Sequence, residues 1–345
     1  MHILVDITHP AHVHFFRHSI AEWRERGHEL TIAARRKDIA IELMTHYGWD
    51  FVNLGAARSG LAGLTQELLV RNAKLWRLVR RRKPDVMAAI GGIFIAHVGW
   101  LTGTPSVVFT DTENATLSNR LTFPFATAVV TPDCYEAPVP SAKHVTYAGY
   151  HELAYTHPNR FTPDPERLRD FGVEPGEDYV VLRLVSWGAA HDVHDSGFAD
   201  AVQAVRRLEE FGRVLISSEK PLPPELEPKR LAGPLEHVHH LLHYARLFIG
   251  ESATMASESV TLGTPAVFVS TSTRGYTNEQ GSRYDAAYTF TDPVAGQQQA
   301  LDKAVEILRD PDSKAKWRAK ADRILADKID VTQFIVDTVE QHARR

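Results

Sequence analysis

Residues 248–269 read FIGESATMASESVTLGTPAVFV. The apolar run Leu247–Ile249 predicts a strand, and Gly250 ends it. The small residues Ser252, Ala253 and Thr254 then open a helix that carries Glu258 and stops at Gly263-Thr264-Pro265, where the next strand, 266–269, begins. A strand feeding a helix N-terminus leaves unpaired backbone N–H groups and the positive end of the helix dipole at the sheet's carboxyl edge. Side chains this small let a diphosphate approach those amides. Glu258, about one turn inside the helix, can accept hydrogen bonds from two ribose hydroxyls. Arg183 stands in the Val- and Leu-rich strand expected at 179–184. It could neutralise diphosphate charge as a leaving nucleotide forms, or serve as an ion-pair partner inside its domain. Trp187, His191 and Asp192 follow it, either to line a cleft and meet phosphate or sugar hydroxyls, or as a solvated loop.

A second set lies in the first half of the chain. His12 follows the first strand candidate, Ile3–Asp6. An imidazole with pKa near ~6.5 suits a general base that takes a proton from a hydroxyl; the alternative is a loop histidine that binds backbone. His9 and His14 compete for the same role. Asp111 and Glu113 sit in TDTEN, directly after the strand expected at 106–109, and ligands of open α/β sheets bind beyond strand carboxyl ends. Either acid could orient His12, act as the base, or bind hydroxyls; Asp111 or Thr112 could equally cap the next helix. Asn114, Asn119 and Arg120 would support this loop. Gly91-Gly92 ends the strand expected at 86–90 and allows either a plain turn or close approach of a ligand to backbone.

The elements that must position these residues alternate between short β-rich runs and helical stretches, which predicts parallel sheets with helices on both faces. Strands are expected at 3–6, 30–33, 51–54, 86–90, 106–109 and 128–131, and again at 179–184, 214–217, 247–249, 266–269 and 287–290. At 345 residues the chain suits two domains: 1–158, a linker at 159–178 rich in Pro, Gly and charge, 179–328, and a C-terminal helix in 329–345, with Asp330 and Gln333 as a capping box, that packs back on the first domain. The composition, 43% hydrophobic and 24% charged, is that of a globular protein. A net charge of -4 argues against nucleic acid as partner, and the single Cys134 rules out an intramolecular disulfide or a Cys-rich zinc site. The N-terminus reads as a core strand rather than a signal peptide, which points to a cytoplasmic protein.

Taken in order, DITHPAHVHFF (6–16), Gly91-Gly92 with TDTENA (110–115), LSNRLTFP (117–124), RLVSWGAAHD (183–192) and SATMASESVTLGTP (252–265) resemble the GT-B fold of glycosyltransferases: α/β, with two doubly wound Rossmann-like domains facing across a cleft. Within it they resemble the family catalogued as domain of unknown function 354. Two better-known branches are similar. SESVTLGTP resembles the ribose-binding segment of the transferase that adds N-acetylglucosamine to a lipid-linked muropeptide, which puts Glu258 on its ribose-binding glutamate. THPAHV resembles that enzyme's glycine-rich loop and puts His12 on its loop histidine, with Pro10 and Ala11 in place of glycines. The second branch, the non-hydrolysing UDP-N-acetylglucosamine 2-epimerases, matches less well. Gly91-Gly92 replaces its Gly-Asp, Thr116 or Leu117 replaces a glutamate, and Ser186-Trp187 falls where it has a histidine.

The resemblance implies transfer of a sugar from a nucleotide-diphosphate sugar, UDP-linked, to a glycan or lipid-linked acceptor. The nucleotide sugar is then a substrate, and no cofactor or bound metal is expected. A 2-epimerase or hydrolase is the alternative, and a non-catalytic nucleotide-sugar or glycan binder a third. His237, His239, His240 and His243 have helical spacing but no matched carboxylate or cysteine set, so they are not expected to hold a metal. Residues 66–83, QELLVRNAKLWRLVRRRK, are the one strongly basic stretch. They form either a core-packing helix with a solvated basic face or a peripheral contact with anionic membrane.

Overall fold

The computed structural model describes residues 1–36, 38–56, 60–185, 201–218 and 220–344. The chain forms two compact units, Met1–Tyr155 with Ile329–Arg345, and Thr156–Lys328.

The first unit holds a seven-stranded sheet of β1 (His2–Ile7), β2 (Glu29–Arg36), β3 (Phe51–Ala56), β4 (Val86–Ile90), β5 (Ser106–Phe109), β6 (Ala128–Pro132) and β7 (His144–Tyr147). Their order is β3-β2-β1-β4-β5-β6-β7, and every pairing is parallel. β1 is buried along its whole length, as expected of a parallel strand covered on both faces. The strand order reverses between β1 and β4, and this switch point is where doubly wound sheets open a crevice for ligands.

The second unit holds β8 (Tyr179–Leu184), β9 (Arg213–Ser218), β10 (Leu247–Gly250), β11 (Ala266–Val269) and β12 (Ala287–Phe290), all parallel, in the order β12-β11-β10-β8-β9. Its switch point lies between β8 and β10.

Residues 159–178, expected as a linker, lie inside the second unit. A 3-10 turn at Pro165–Phe171, capped by Asp164, buries Leu168 and Phe171, and Val173 is buried behind them. The Pro and Gly content marks tight turns rather than slack. Helix Ala201–Leu208 precedes β9, and residues 186–200 lie outside the described residues. Helix Ile93–Thr102 was not expected because its exposed residues Trp100 and Leu101 are as apolar as its buried Phe94, Ile95, Ala96 and Val98, which erases the amphipathic period.

The C-terminal helix, Val331–His342, belongs to the first unit. Asp330 caps it by accepting from the Thr332 amide at 3.1 Å, whereas Gln333, expected to close a capping box, donates to Asp337 one turn on. Val331, Ile335, Val336 and Val339 are buried, and the Thr332 hydroxyl donates to Ala154 O at 2.6 Å. Ile335→Ala should therefore lower stability by about 2–4 kcal/mol, measured by urea unfolding. A loss under about 0.5 kcal/mol, the range of surface substitutions, would mean that the helix does not complete this core.

Candidate functional site

At the first unit's switch point the chain leaves β1 through Thr8 and enters helix Pro10–Glu25. His9 is the N-cap, its Nδ1 accepting from the Ala11 amide at 3.2 Å, and Pro10 takes the first helical position, where its missing N–H costs nothing. His12 is thereby turned back towards the strand end. Its Nδ1 lies 3.4 Å from both the amide and the hydroxyl of Thr8. Burial, and then the imidazoles of His9 and His151, push His12 well below the usual imidazole range.

The turn is held from below by buried ion pairs. Arg35 donates to Thr8 O at 3.0 Å and to Glu67 at 3.2 Å. Asp6, on β1, is paired with Arg71 from helix Gly60–Arg82, and both are buried. Burial raises the Asp6 carboxyl, with Arg71 pulling the other way. Arg71 also lies over the Phe94 ring at 4.7 Å.

Asp111 follows β5 and faces the same cluster. Its Oδ2 lies 3.1 Å from Nδ1 of His151, and its Oδ1 accepts from the Thr112 hydroxyl at 2.9 Å. Burial alone would raise Asp111. The facing His151 imidazole, its hydrogen bond and that of Thr112 outweigh burial and hold the carboxyl below its ordinary range. The His151 ring sits 4.6 Å from Phe15 and is stacked on Tyr147. The loop itself is braced by Asn119, which donates to Thr112 O at 3.2 Å and bonds the Tyr135 hydroxyl at 3.1 Å. Glu113 accepts from the Glu136 amide at 3.4 Å, and Asn114 is exposed.

Gly91 and Gly92 have φ of 68° and 47°, in the left-handed region that glycine alone adopts without strain. A Cβ on Gly92 would fall 2.6 Å from Val108. The turn and the packing on β5 account for this pair without a ligand.

In the second unit β10 ends at Gly250, where a Cβ would lie 2.4 Å from Arg183 O. Ser252 is the N-cap of helix Ala253–Thr261, its Oγ accepting from the Met255 amide at 3.3 Å. The amides of Ala253 and Thr254, at the first two helical positions, have no intrahelical acceptor. Glu258 is 6% exposed, and its Oε1 lies 3.1 Å from Nε2 of the fully buried His239. Arg183 donates to the Ser217 hydroxyl at 2.9 Å. Trp187, His191 and Asp192 lie outside the described residues. His237, His239, His240 and His243 go to four different partners: Asp170, Glu258, the Asp164 amide and Arg318.

The structure thus brings His12 and Asp111 within electrostatic reach of each other and of a residue that sequence reasoning missed, His151, which touches Asp111. His151 was overlooked because β7 was not anticipated; the run HVTYAGYH, a β-branched strand ending in glycine ahead of a histidine, was the available signal. The pairings of Asp6 with Arg71, of Glu67 with Arg35 and of Glu258 with His239 were also missed, since burial and pairing are invisible to a linear reading.

A sequence profile of the family described as "Protein of unknown function (DUF354)" matches residues 1–274, and the chain belongs to that family. "Uncharacterized protein MJ0665" of Methanocaldococcus jannaschii is 21% identical over 274 residues, covering 77% of this chain and 80% of that one. Among solved structures, the spinosyn rhamnosyltransferase SpnG with spinosyn aglycone is similar at TM-score 0.66 and 16% identity, over 99% of this chain and 100% of that one. The UDP-GlcNAc 2-epimerase from Neisseria meningitidis, bound to UDP-GlcNAc, is similar at TM-score 0.68 and 12% identity, over 99% and 100%. At these identities the likeness is one of fold: the α/β architecture with two parallel sheets is GT-B.

His12 generates a pH prediction. Its folded-state pKa lies below the unfolded value of about 6.5, so the unfolded chain takes up the proton first. Stability is full above that pH and is lost as pH falls from about 6.5 towards the folded value. In urea unfolding between pH 7 and pH 5, His12→Asn should lose less stability than the wild type. An equal loss would show that the imidazole is not held neutral.

Proposed function

We propose that this member of the DUF354 family is a glycosyltransferase that moves a sugar from a nucleotide-diphosphate sugar, UDP-linked, to a glycan or lipid-linked acceptor. The observation that carries the reading is the turn from β10 into helix Ala253–Thr261. Gly250 allows the close packing on Arg183, and the free amides of Ala253 and Thr254 point beyond the strand end, with Ser252 occupied by Met255. An anionic diphosphate is the ligand that such a helix start favours. Glu258, held by His239, is assigned to the ribose hydroxyls, and Arg183 to the diphosphate charge that grows as the leaving nucleotide departs. In the first unit the cluster of His12, Asp111 and His151 supplies acid–base groups for the acceptor. A sugar nucleotide also agrees with the ligands in similar folds, UDP-GlcNAc in the epimerase and thymidine diphosphate in SpnG.

The likeness to the epimerase keeps a second reading in play, a nucleotide-sugar 2-epimerase or hydrolase. It predicts turnover with no acceptor present, whereas a transferase leaves the sugar nucleotide largely intact. Gly91-Gly92, in place of the epimerases' Gly-Asp and now explained by turn geometry, weighs against it.

A lipid-linked acceptor is supported by one surface of the first unit. Leu69 and Trp76 of helix Gly60–Arg82, Trp100 and Leu101 of helix Ile93–Thr102, and Leu117 and Leu121 of helix Thr116–Thr122 are six of the eleven exposed large apolar residues among the described residues. His97 ties the three helices together, through Asn72 at 3.2 Å and Leu121 O at 2.8 Å. Arg80 lies over the Trp76 ring, and Arg77, Arg81 and Arg120 of these helices are exposed. The only acid in these helices, Glu67, is buried against Arg35. An apolar face with a basic border and interfacial tryptophans suits an anionic bilayer. No helix among the described residues is long and apolar enough to cross a membrane.

Calorimetry with UDP and UDP-N-acetylglucosamine should show binding, weakened at least tenfold (about 1.4 kcal/mol) by Glu258→Ala. Unchanged affinity in that variant would remove the ribose assignment, and conversion of the sugar nucleotide without acceptor would make it an epimerase or hydrolase. Vesicles containing phosphatidylglycerol should pull the protein down at low salt, and Trp100→Glu should abolish this. Failure of the wild type to bind would remove the membrane contact.

A further inference from the structure

His151 and His12 both turn Nδ1 towards a protein partner, but towards partners of opposite hydrogen-bonding character. At His12, Nδ1 faces the backbone amide of Thr8. An amide can only donate, so Nδ1 carries the lone pair and the proton of the neutral ring sits on Nε2. His12 then offers an N–H and cannot take up a proton at Nε2. At His151, Nδ1 faces the carboxylate oxygen of Asp111 at 3.1 Å. A carboxylate can only accept, so Nδ1 carries the proton and Nε2 of the neutral ring is a bare lone pair.

That Nε2 is enclosed and has no hydrogen-bond partner among the described residues, in a side chain 5% exposed. A buried acceptor left without a donor costs about 1–3 kcal/mol, so this atom favours a hydroxyl brought against it. Phe15 packs against the ring with centroids 4.6 Å apart, and Tyr147 lies parallel to it within 5° at 6.4 Å.

We propose that His151, oriented by Asp111, is the general base that takes the proton from the acceptor hydroxyl, and that His12 is a hydrogen-bond donor to the reacting groups. The proposal rests on the transferase reading. The hydroxyl proton moves to His151 Nε2, giving an imidazolium paired with the Asp111 carboxylate. The freed oxygen forms a bond to the anomeric carbon while the bond from that carbon to the diphosphate oxygen breaks, and the nucleoside diphosphate leaves with the electron pair. The imidazolium returns its proton to solvent after the products depart. The low carboxyl pKa of Asp111 keeps it ionised throughout, as the partner of an imidazolium must be.

The tautomers can be read without any substrate. In full-length protein carrying nitrogen-15 histidine, long-range proton–nitrogen correlation distinguishes a protonated Nδ1 from a protonated Nε2, with His151→Asn and His12→Asn assigning the signals. The expected result is Nδ1–H at His151 and Nε2–H at His12, with the His151 preference lost in Asp111→Ala. The reverse pair of tautomers would overturn the proposal. It would still be decided if no sugar nucleotide were turned over, which would instead count against the transferase reading. Where turnover of UDP-N-acetylglucosamine with an acceptor is found, His151→Asn should lower kcat at least 100-fold and His12→Asn less. A smaller loss in His151→Asn than in His12→Asn would assign the base to His12. His151→Gln serves as the second variant should His151→Asn fold poorly.

Discussion

Parallel pairing of β1 with β2 on one side and β4 on the other is the constraint from which the first unit's chemistry follows. Parallel strands deliver every carboxyl end to the same edge of the sheet, and reversal of the strand order there leaves a gap that no crossover helix fills. Thr8 and His12 leave β1 at that edge, Gly91 and Gly92 leave β4, and Asp111 leaves β5. The same logic brings Arg183 on β8 and the Gly250–Ser252 turn after β10 to the switch point of the second sheet.

Local interactions then fix what topology only brings near. The ionic network beneath the first switch point pairs Asp6 with Arg71, and Glu67 with Arg35, which also holds Thr8 O. Removing one member of a buried pair leaves an uncompensated charge, a loss of about 3–5 kcal/mol. The network therefore resists exchange of its partners and keeps the Thr8–His12 turn in one conformation. It also links helix Gly60–Arg82, which carries exposed apolar and basic side chains, to the strand that leads into the Thr8–His12 turn.

Much of this was legible in the sequence. Strand–helix alternation gave the two parallel sheets, because a 4–6-residue apolar run followed by an amphipathic helix has few other solutions. The placement of Ser252, Ala253, Thr254 and Glu258 at a helix start after a strand also follows from local pattern, as does Asp111 after β5. Three kinds of feature were not readable. Helix Ile93–Thr102 is apolar on its exposed side as well, at Trp100 and Leu101, and so shows no period. The Pro- and Gly-rich stretch at 159–178 looks like a linker until Leu168, Phe171 and Val173 are seen to be buried. The partners of Asp111 and Glu258, His151 and His239, are 40 and 19 residues away, a pairing that only the fold can make. Arg71 is the sharpest case: within a basic run it reads as one more solvated charge, yet it is 2% exposed and paired with Asp6.

The proposed function turns on a nucleotide diphosphate at the helix start at Ala253. Hydrogen–deuterium exchange of the full-length protein, with and without saturating UDP, tests it most directly. The account predicts slowed exchange in peptides spanning 250–258, where the free amides of Ala253 and Thr254 would gain phosphate oxygens as acceptors. Unchanged exchange there, with UDP bound and protection appearing elsewhere, would contradict it.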